Sequence, residues 1–359
     1  MKKLDLYIIR KFLGTFFFSI ILLIAIIVVF DVSEHIEDYI EKSAPLKSII
    51  FDYYMNWIPF FVNQFGALFT FVAVILFTSK MASNSEIIAI LSSGISFKRM
   101  LFPYFLSALA IGVLSYGLAS FVIPHASKTR LAFWETYIGS SFSNKEINIH
   151  RQIAPGTFIY MKSFAVTSST GYYFAMDEFN EDNVLVRKLN SSSIKWNKDL
   201  DKWTINNYKI RTFEGDKETM EHGAKLDTLL PFTKKEFSTR SDVSETMTSP
   251  ELADYIELQK MRGSSNVVQL EIERYKRLSA AFATFILTLI GVSLSARKLR
   301  GGMGMHLGIG LGLSFSYILF QQVSSVFATN GDMNPMLAVW IPNIIYTFIA
   351  IYLYIKAPK

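Results

Sequence analysis

Long apolar runs lie towards both ends of the chain, whereas its middle third mixes polar and apolar residues. A hydrocarbon core about 30 Å thick is crossed by about 20 apolar residues in helical conformation. Runs of this kind predict six membrane-spanning helices, three on each side of the polar middle: residues 12–30, 49–77, 101–123, 278–294, 303–327 and 336–355. We therefore expect a polytopic α-helical membrane protein with one large insert between its third and fourth spans.

The insert, residues 124–266, has the pattern of an all-β domain. Short segments in which apolar and polar residues alternate recur along it, as is typical of half-buried strands. Turn-forming sequences such as Pro155-Gly156 separate these segments. Repeated short strands at this spacing favour a β-sandwich or a jelly roll. The predicted domains are residues 1–123 with helices 1–3, residues 124–266 with a jellyroll-like fold, and residues 267–359 with helices 4–6.

A helix is predicted to close the insert. Ser249 fits its N-cap and Pro250 its first helical position, and Gly263 supplies a C-terminal stop. The short polar segment after Gly263 then leads into the fourth span.

The distribution of charge predicts the orientation in the membrane. The chain carries 36 Lys and Arg against 30 Asp and Glu, an excess that can also indicate nucleic-acid binding. Here the basic residues concentrate before span one, after span six and in alternate short loops: Lys2, Lys3, Arg10, Lys11, Lys80, Lys98, Arg99, Arg297, Lys298, Arg300, Lys356 and Lys359. Because Lys and Arg mark cytoplasmic loops, we expect cytoplasmic termini, an external insert and no nucleic-acid partner.

The candidate chemistry for catalysis or metal binding is sparse. Cysteine is absent, which excludes disulfides, thiol nucleophiles and thiolate metal sites. The five histidines form no His-Glu-x-x-His motif. An integral membrane enzyme would need a group of titratable side chains at depth, and polar residues in the predicted spans are sparse. We therefore expect a non-catalytic protein without a cofactor or metal of its own.

The fifth span carries Gly304, Gly308 and Gly312 at four-residue spacing. Such a ladder of small residues lets a second helix approach closely in a membrane. The preceding glycines are not followed by Gly-Lys-Ser/Thr, so the segment does not match a P-loop.

Charged residues crowd the start of the fourth span, where Arg274, Lys276 and Arg277 accompany Glu271 and Glu273. Basic residues at an external helix end oppose the charge bias of the loops. Two interpretations stay open. The cations snorkel and pair at i,i+4 spacing, as Glu273 can with Arg277, or they form a rim that binds the phosphates of an anionic lipid.

A short helix is predicted between the second and third spans. Ser83 or Asn84 can cap it, it includes Glu86, and Gly94 ends it. Four of its residues make it too apolar for an isolated exposed helix: Ile87, Ile88, Ile90 and Leu91. It can lie in the membrane interface or dock into a groove on a cytoplasmic protein.

Four motifs, taken in order, resemble the LptF/LptG family of lipopolysaccharide-export permeases. Met81-Ala-Ser-Asn-Ser-Glu86, continuing to Ser93-Gly94-Ile-Ser96, is similar to the coupling helix of that family. The other three resemble the starts of its first, fourth and fifth helices: Asp5-Leu-Tyr-Ile-Ile-Arg-Lys-Phe12, Glu273-Arg-Tyr-Lys-Arg277 and Arg300-Gly-Gly-Met-Gly304. The likeness extends to all spans, and the overall texture leans towards LptG. The insert matches the family's periplasmic jellyroll only by position and strand rhythm.

The resemblance implies a permease subunit of an ABC transporter in the bacterial inner membrane. It would extract lipopolysaccharide together with a second LptF/LptG-type permease and pass it to an LptC/LptA-type periplasmic bridge. ATP would be hydrolysed by an LptB-type ATPase dimer, not by this chain. Other ATPase-coupled permeases, of the lipoprotein-release or FtsX-like type, place their large external domain after the first span, which disfavours them here.

The resemblance also implies two sets of site residues. Glu86 would contact the ATPase groove, with Ser83, Asn84, Ser93 and Gly94 in the same coupling segment. Cations near the external mouth would bind the lipid's phosphates and core sugars. Those residues are Arg274, Lys276, Arg277, Lys42, Lys128 and Arg130.

Overall fold

The structure is a computed structural model that describes ten stretches of the chain. They are residues 3–139, 147–197, 201–215, 217–230, 232, 237, 241–264, 266–296, 302–331 and 333–357. Of the basic residues used to predict orientation, Lys2, Arg297, Lys298, Arg300 and Lys359 lie outside these stretches, as does the beginning of the Arg300–Gly304 motif.

The described chain divides into two compact units. A helical unit comprises Met1–Phe133, Glu245–Leu252 and Val268–Lys359, and an insert unit comprises Trp134–Ser244 and Ala253–Val267. The ten α-helices of the described residues are α1 (Lys3–Glu41), α2 (Leu46–Ser48), α3 (Met55–Ser83), α4 (Glu86–Ser92), α5 (Phe97–Gly117), α6 (Ile123–Tyr137), α7 (Ser249–Met261), α8 (Val267–Ser295), α9 (Gly302–Asn330) and α10 (Pro335–Lys356).

The six predicted spans are confirmed as helices long and apolar enough to cross a membrane. Two of them are compound, because π-helical turns at Ile49–Tyr54 and Leu118–Val122 join α2 to α3 and α5 to α6. The six spans are Lys3–Glu41, Leu46–Ser83, Phe97–Tyr137, Val267–Ser295, Gly304–Asn330 and Pro335–Lys356.

The third span continues as helix past the predicted domain boundary at residue 124. Aromatic packing holds the extension in place, because the Phe133 ring lies 6.2 Å from that of Tyr39 and 5.3 Å from that of Tyr53, centroid to centroid. The helical unit therefore includes residues up to Phe133, and the boundary at 124 stays a prediction from composition.

In the helical unit, α1, α3 and α5 pack around buried aromatic rings. Ring centroids are 5.6 Å apart for Phe12 and Phe77, and 5.2 Å apart for Phe77 and Tyr104. The Tyr104 hydroxyl lies 3.0 Å from Thr78 Oγ1, which satisfies two buried polar groups. Because lipid chains are as apolar as Leu, helix association in a membrane depends on such close packing and hydrogen bonds.

α8 packs closely against α3 because it has a glycine at the contact. A β-carbon at Gly291 would lie 2.9 Å from Val74 Cγ1, so a larger residue here would push the two helices apart. A second aromatic cluster, which includes Phe71, Tyr317 and Tyr346, then joins α3 to α9 and α10.

The insert unit contains one six-stranded antiparallel sheet, so the predicted all-β insert between spans three and four is confirmed. Each strand pairs with the next along the chain, which is the order of a meander. The strands are β1 (Ile147–Ala154), β2 (Thr157–Ala165), β3 (Thr170–Phe179), β4 (Leu185–Asn197), β5 (Lys202–Glu214) and β6 (Lys217–Thr228). Alternate residues of β2, β3 and β5 form the core around Phe164, Phe174 and Trp203, and Trp203 Nε1 donates to Phe232 O at 2.9 Å.

The helix that closes the insert begins one residue earlier than predicted. Because α7 starts at Ser249, Thr248 occupies the N-cap position and its N–H donates to Glu251 Oε2 at 2.8 Å. This bond is the side-chain-to-backbone half of a capping box, and it lowers the pKa of Glu251. Ser249 is therefore not the N-cap. Gly263 is the stop that was predicted, with φ +62° and its N–H on Lys260 O at 3.1 Å.

Candidate functional site

The predicted coupling segment forms α4, but neither predicted cap is correct. The residue before the helix is Ser85, in a left-handed conformation (φ +62°), and no side chain caps it. Ser83 Oγ donates back to Lys80 O at 2.9 Å, and Asn84 Nδ2 donates to Glu86 Oε1 at 3.3 Å. Both residues therefore belong to the sharp turn between α3 and α4, and neither occupies the N-cap position of α4.

The end of α4 is as predicted. Gly94 has φ +84°, a conformation that favours glycine, and its N–H donates to Leu91 O at 3.1 Å. Ser93 Oγ donates to Ile90 O at 2.7 Å. Ser96 then caps α5 by accepting from Arg99 N at 3.3 Å, so only a few residues separate the two helices.

One face of α4 is buried and the other is exposed. Ile87 is 1% exposed, and Ile90 and Leu91 pack against the same cluster of buried side chains from α1, α3 and α5. Ile88 is 55% exposed, and Ser92 and Ser93 are exposed beside it. Most of the apolar surface of this helix is thus used inside the chain, and a narrow outer face is left.

Two long-range contacts anchor α4 and its neighbours to the start of α1. Tyr7 Oη donates to Glu86 Oε2 at 2.9 Å. Asp5, only 2% exposed, accepts two parallel bonds from Arg99 Nη1 and Nη2 at 2.7 and 2.8 Å. Paired bonds between a guanidinium and a carboxylate are strong and fix orientation. The start of α1 therefore holds both α4 and α5 in place.

These anchors were missed by the sequence analysis, although a signal was present. Asp5 is the only acidic residue in a basic segment that leads into an apolar helix, which indicates a cationic partner. His306 is buried, and its Nδ1 lies 2.9 Å from Ser79 Oγ. This contact joins the beginning of α9 to the end of α3 at the same side of the helical unit, which we call the α4 end.

The opposite side, where the chain enters and leaves the insert, is the insert end of the helical unit. Arg277 lies here but does not form an open rim. It is 5% exposed, and its Nη1 and Nη2 donate to Ser249 Oγ at 3.1 Å and Met247 O at 2.9 Å. Ser249 Oγ in turn donates to Ser120 Oγ at 3.0 Å. Arg277 thus ties α8 to Met247 and to the first residue of α7.

A second predicted cation is also used within the chain. Arg130 Nη2 forms an ion pair with Glu245 Oε2 at 3.1 Å, with 13% of the Arg130 side chain exposed. Its guanidinium lies 5.5 Å from the centre of the Phe60 ring, within the range of a cation–π contact. Lys128 is exposed, and its charge contributes to the lowered pKa of Glu251, after the hydrogen bonds with Thr248. Three predicted cations therefore converge on residues 245–251.

The other three predicted cations lie elsewhere on the helical unit. Lys42 is exposed at the end of α1, and Arg274 is exposed on α8. Lys276 is half-buried in a groove between α8 and α9. The six predicted residues hence do not form a single cluster.

A buried acidic group at the insert end was not predicted. Asp31, 7% exposed, accepts from Tyr54 Oη at 2.7 Å and from Tyr53 Oη at 3.3 Å. His35 Nδ1 lies 3.5 Å from Asp31 Oδ1. The signal was the position of Asp31, directly after the charge-free apolar run of span one. Within the described part of the chain, no three His, Asp or Glu side chains are grouped to hold a metal ion.

Comparison with known proteins agrees with this architecture. The sequence profile described as "Lipopolysaccharide export system permease LptF/LptG" matches residues 6–356, which is nearly the whole chain. No curated protein matches the chain. Six membrane helices with an antiparallel β domain inserted after the third are consistent with that family. The chain belongs to the LptF/LptG family, and it is a multi-pass inner-membrane permease subunit of a lipopolysaccharide-export ABC transporter.

Proposed function

We propose that α4 is the coupling helix through which a separate LptB-type ATPase drives this permease. The observation that carries this proposal is the division of α4 into an anchored face and a free one. Ile87 anchors the helix in the core of the helical unit, while Ile88 and Ser92 remain exposed. An exposed apolar residue on a short, fixed helix suits docking into a groove on a partner.

The anchors give α4 a route to move the spans. A push on α4 is transmitted through the Tyr7–Glu86 bond to α1 and through the shared core to α3 and α5. The Asp5–Arg99 pair joins α1 to α5 directly. A rigid set of helices moves as one body when one of its members is displaced.

Glu86 is the acidic contact that we assign to the ATPase. Two ionised carboxylate oxygens can accept about four hydrogen bonds, and Tyr7 and Asn84 provide two of them. A cationic side chain of the ATPase can therefore bind Glu86 without displacing Tyr7. Tyr7 then orients the carboxylate, and Ser83, Asn84, Ser93 and Gly94 shape the turns at either end of the helix.

A second permease of the same type is supported by α9. Among the described residues, no atom lies within 4 Å of a β-carbon placed at Gly304, Gly308 or Gly312, so the glycine ladder is not covered by them. Small residues in a row allow close approach of another helix. We assign this face to the partner permease.

The orientation follows the loop charges, with the α4 end in the cytoplasm and the insert in the periplasm.

At the insert end we assign lipopolysaccharide phosphates to the exposed cations Arg274, Lys128 and Lys42. Arg277 and Arg130 instead shape this end through their contacts with residues 245–251. The β domain would pass the lipid to an LptC/LptA-type bridge. No cofactor is assigned to this chain, since the partner ATPase uses the ATP.

The test is a charge reversal at the coupling helix. Glu86→Lys should reach the membrane but recover less than a tenth of the ATPase on purification, because a broken interfacial charge contact costs about 2–5 kcal/mol. Tyr7→Phe should give an intermediate loss. The matched control is Glu37→Lys, the same reversal at an exposed position at the far end of α1. Normal ATPase recovery and lipid export by Glu86→Lys would refute the assignment.

A further inference from the structure

A polar groove lies between α8 and α9 at the insert end of the helical unit. Six of the side chains that line it are polar and two are apolar. They are Gln269, Glu273, Lys276, Gln322, Ser325 and Thr329, with Ile272 and Val326. The groove opens on the surface of two membrane-spanning helices, where a lipid headgroup has direct access.

Glu273 and Lys276 give this groove two opposite charges, one helical turn apart on α8. In the part of the chain that the structure describes, Lys276 has no hydrogen bond or ion pair within the protein. Glu273 interacts electrostatically with Arg277, without a hydrogen bond to it. The two hydroxyls of the groove already donate, Ser325 Oγ to Gln321 O at 2.8 Å and Thr329 Oγ1 to Ser325 O at 3.0 Å. They can still accept, and the amides of Gln269 and Gln322 can donate.

This set of groups selects the charge of a ligand. A purely anionic headgroup is attracted by Lys276 but repelled by Glu273, and a purely cationic one meets the reverse. A ligand that carries both charges a few atoms apart satisfies both residues. A phosphate beside Lys276 and a primary ammonium beside Glu273 meet that requirement, and the ammonium donates hydrogen bonds to the carboxylate that a quaternary amine cannot.

An apolar stripe continues from the groove along α9. Val326, Leu319 and Phe315 are 46%, 65% and 56% exposed. Their spacing of seven and four residues places them on one face of the helix. The stripe runs from the groove towards the middle of the span, where an acyl chain joined to the headgroup would lie.

We propose that this groove binds the headgroup of a phosphoethanolamine glycerophospholipid, with the phosphate on Lys276 and the ammonium on Glu273. The two neighbouring cations therefore differ in the ligand that they suit. Lys276 shares the groove with the acidic Glu273, whereas Arg274 does not line the groove and suits an anion. The proposal does not depend on which lipid the transporter exports.

The experiment measures lipid binding to the full-length permease in detergent by native mass spectrometry. The probes are phosphatidylethanolamine, phosphatidylcholine, phosphatidylglycerol and the chain-free headgroup glycerophosphoethanolamine. The parent should bind phosphatidylethanolamine most tightly. Glu273→Gln and Lys276→Gln should each weaken that binding about tenfold, the loss of one charge-assisted contact.

Matched controls isolate the groove. Glu271→Gln removes the same charge two residues away, on the opposite side of α8, and should leave binding unchanged. Lys276→Arg keeps the cation and should bind nearly as the parent does, which shows that the groove tolerates substitution.

Three results would overturn the proposal. If Lys276→Gln weakens binding while Glu273→Gln leaves it unchanged or strengthens it, the site takes an anion such as a lipopolysaccharide phosphate. If neither variant changes binding, the groove is not a headgroup site. Equal binding of the chain-free headgroup would show that the apolar stripe contributes nothing and that the ligand is not a lipid.

Discussion

The two ends of the helical unit use charge differently. At the α4 end, the buried carboxylate of Asp5 is matched by Arg99, and the residues predicted to contact a partner lie outside this pair. At the insert end, the buried Arg277 donates to a hydroxyl and a backbone carbonyl, and the buried Asp31 accepts from tyrosine hydroxyls. Here the residues predicted to bind ligand include the buried anchors themselves.

This difference shows why a charge at a helix end is an ambiguous signal. Arg277 and Arg274 lie three residues apart in one motif, yet Arg277 is buried against the start of α7 and Arg274 is exposed. Residue type gives the charge, but only the neighbouring elements decide whether the charge meets a ligand or another part of the chain.

The largest effect is expected from breaking the matched pair at the α4 end. Arg99→Gln leaves the carboxylate of Asp5 buried without its guanidinium. Removing one partner of a pair whose carboxylate is buried destabilises the fold, and the exposure of Arg99 reduces this loss without abolishing it, because Asp5 stays buried. Thermal unfolding of the purified permease should register the loss, together with reduced ATPase recovery.

The control for Arg99 is its exposed neighbour Lys98, whose change to Gln should leave the melting temperature unchanged. Arg99→Lys should be intermediate, because an ammonium keeps the charge but cannot form two parallel bonds. A melting temperature unaffected in Arg99→Gln would show that the α4 end does not depend on this pair.

A smaller loss of stability is expected at the insert end, where it distinguishes a structural role of Arg277 from a contact with the ligand. Arg277→Gln should destabilise the permease by about 1.5–3 kcal/mol, the worth of hydrogen bonds from a charged group. Arg274→Gln should leave stability unchanged but reduce photo-crosslinking of lipopolysaccharide from a probe at Leu278. If Arg277→Gln is as stable as the parent and only the crosslink is lost, Arg277 is a ligand contact after all.

The smallest effect concerns the cap of α7. The bond from Thr248 N–H lowers the pKa of Glu251. The stabilising contribution of this bond is therefore complete above the pKa of a Glu side chain in the unfolded chain, about 4.3. It is lost as the pH falls through the still lower pKa of the folded state. Amide exchange at Thr248 should therefore lose protection in acid in the parent. Glu251→Gln should show no such pH dependence, and identical profiles would contradict the cap.

Local patterns in the sequence were sufficient for much of the fold. The six spans follow from runs of apolar residues, and the β insert follows from alternation and turn residues. Gly94 and Gly263 were correctly predicted as helix stops because a left-handed residue at a C-terminus is a local requirement. The strand order of the sheet was not predictable, because alternation reveals a strand but not its neighbour.

The side-chain contacts of the site were less predictable because they join distant parts of the chain. Asp5 and Arg99 are separated by 94 positions, and Tyr7 and Glu86 by 79. The predicted caps of α4 were wrong for a different reason. Ser83 and Asn84 are good capping residues, but the left-handed turn at Ser85 moves the start of the helix beyond their reach.

The Asp5–Arg99 pair also has a consequence for biosynthesis. A chain is made from its N-terminus, so Asp5 reaches the membrane surface long before the third span has been synthesised. Until Arg99 arrives, the carboxylate of Asp5 lacks its guanidinium partner, and the core against which Ile87 packs is incomplete because it includes residues of α5. A correctly placed α4 therefore exists only after three spans are inserted. If α4 is the coupling helix proposed above, the nascent permease would present it to an ATPase only when its first half is assembled.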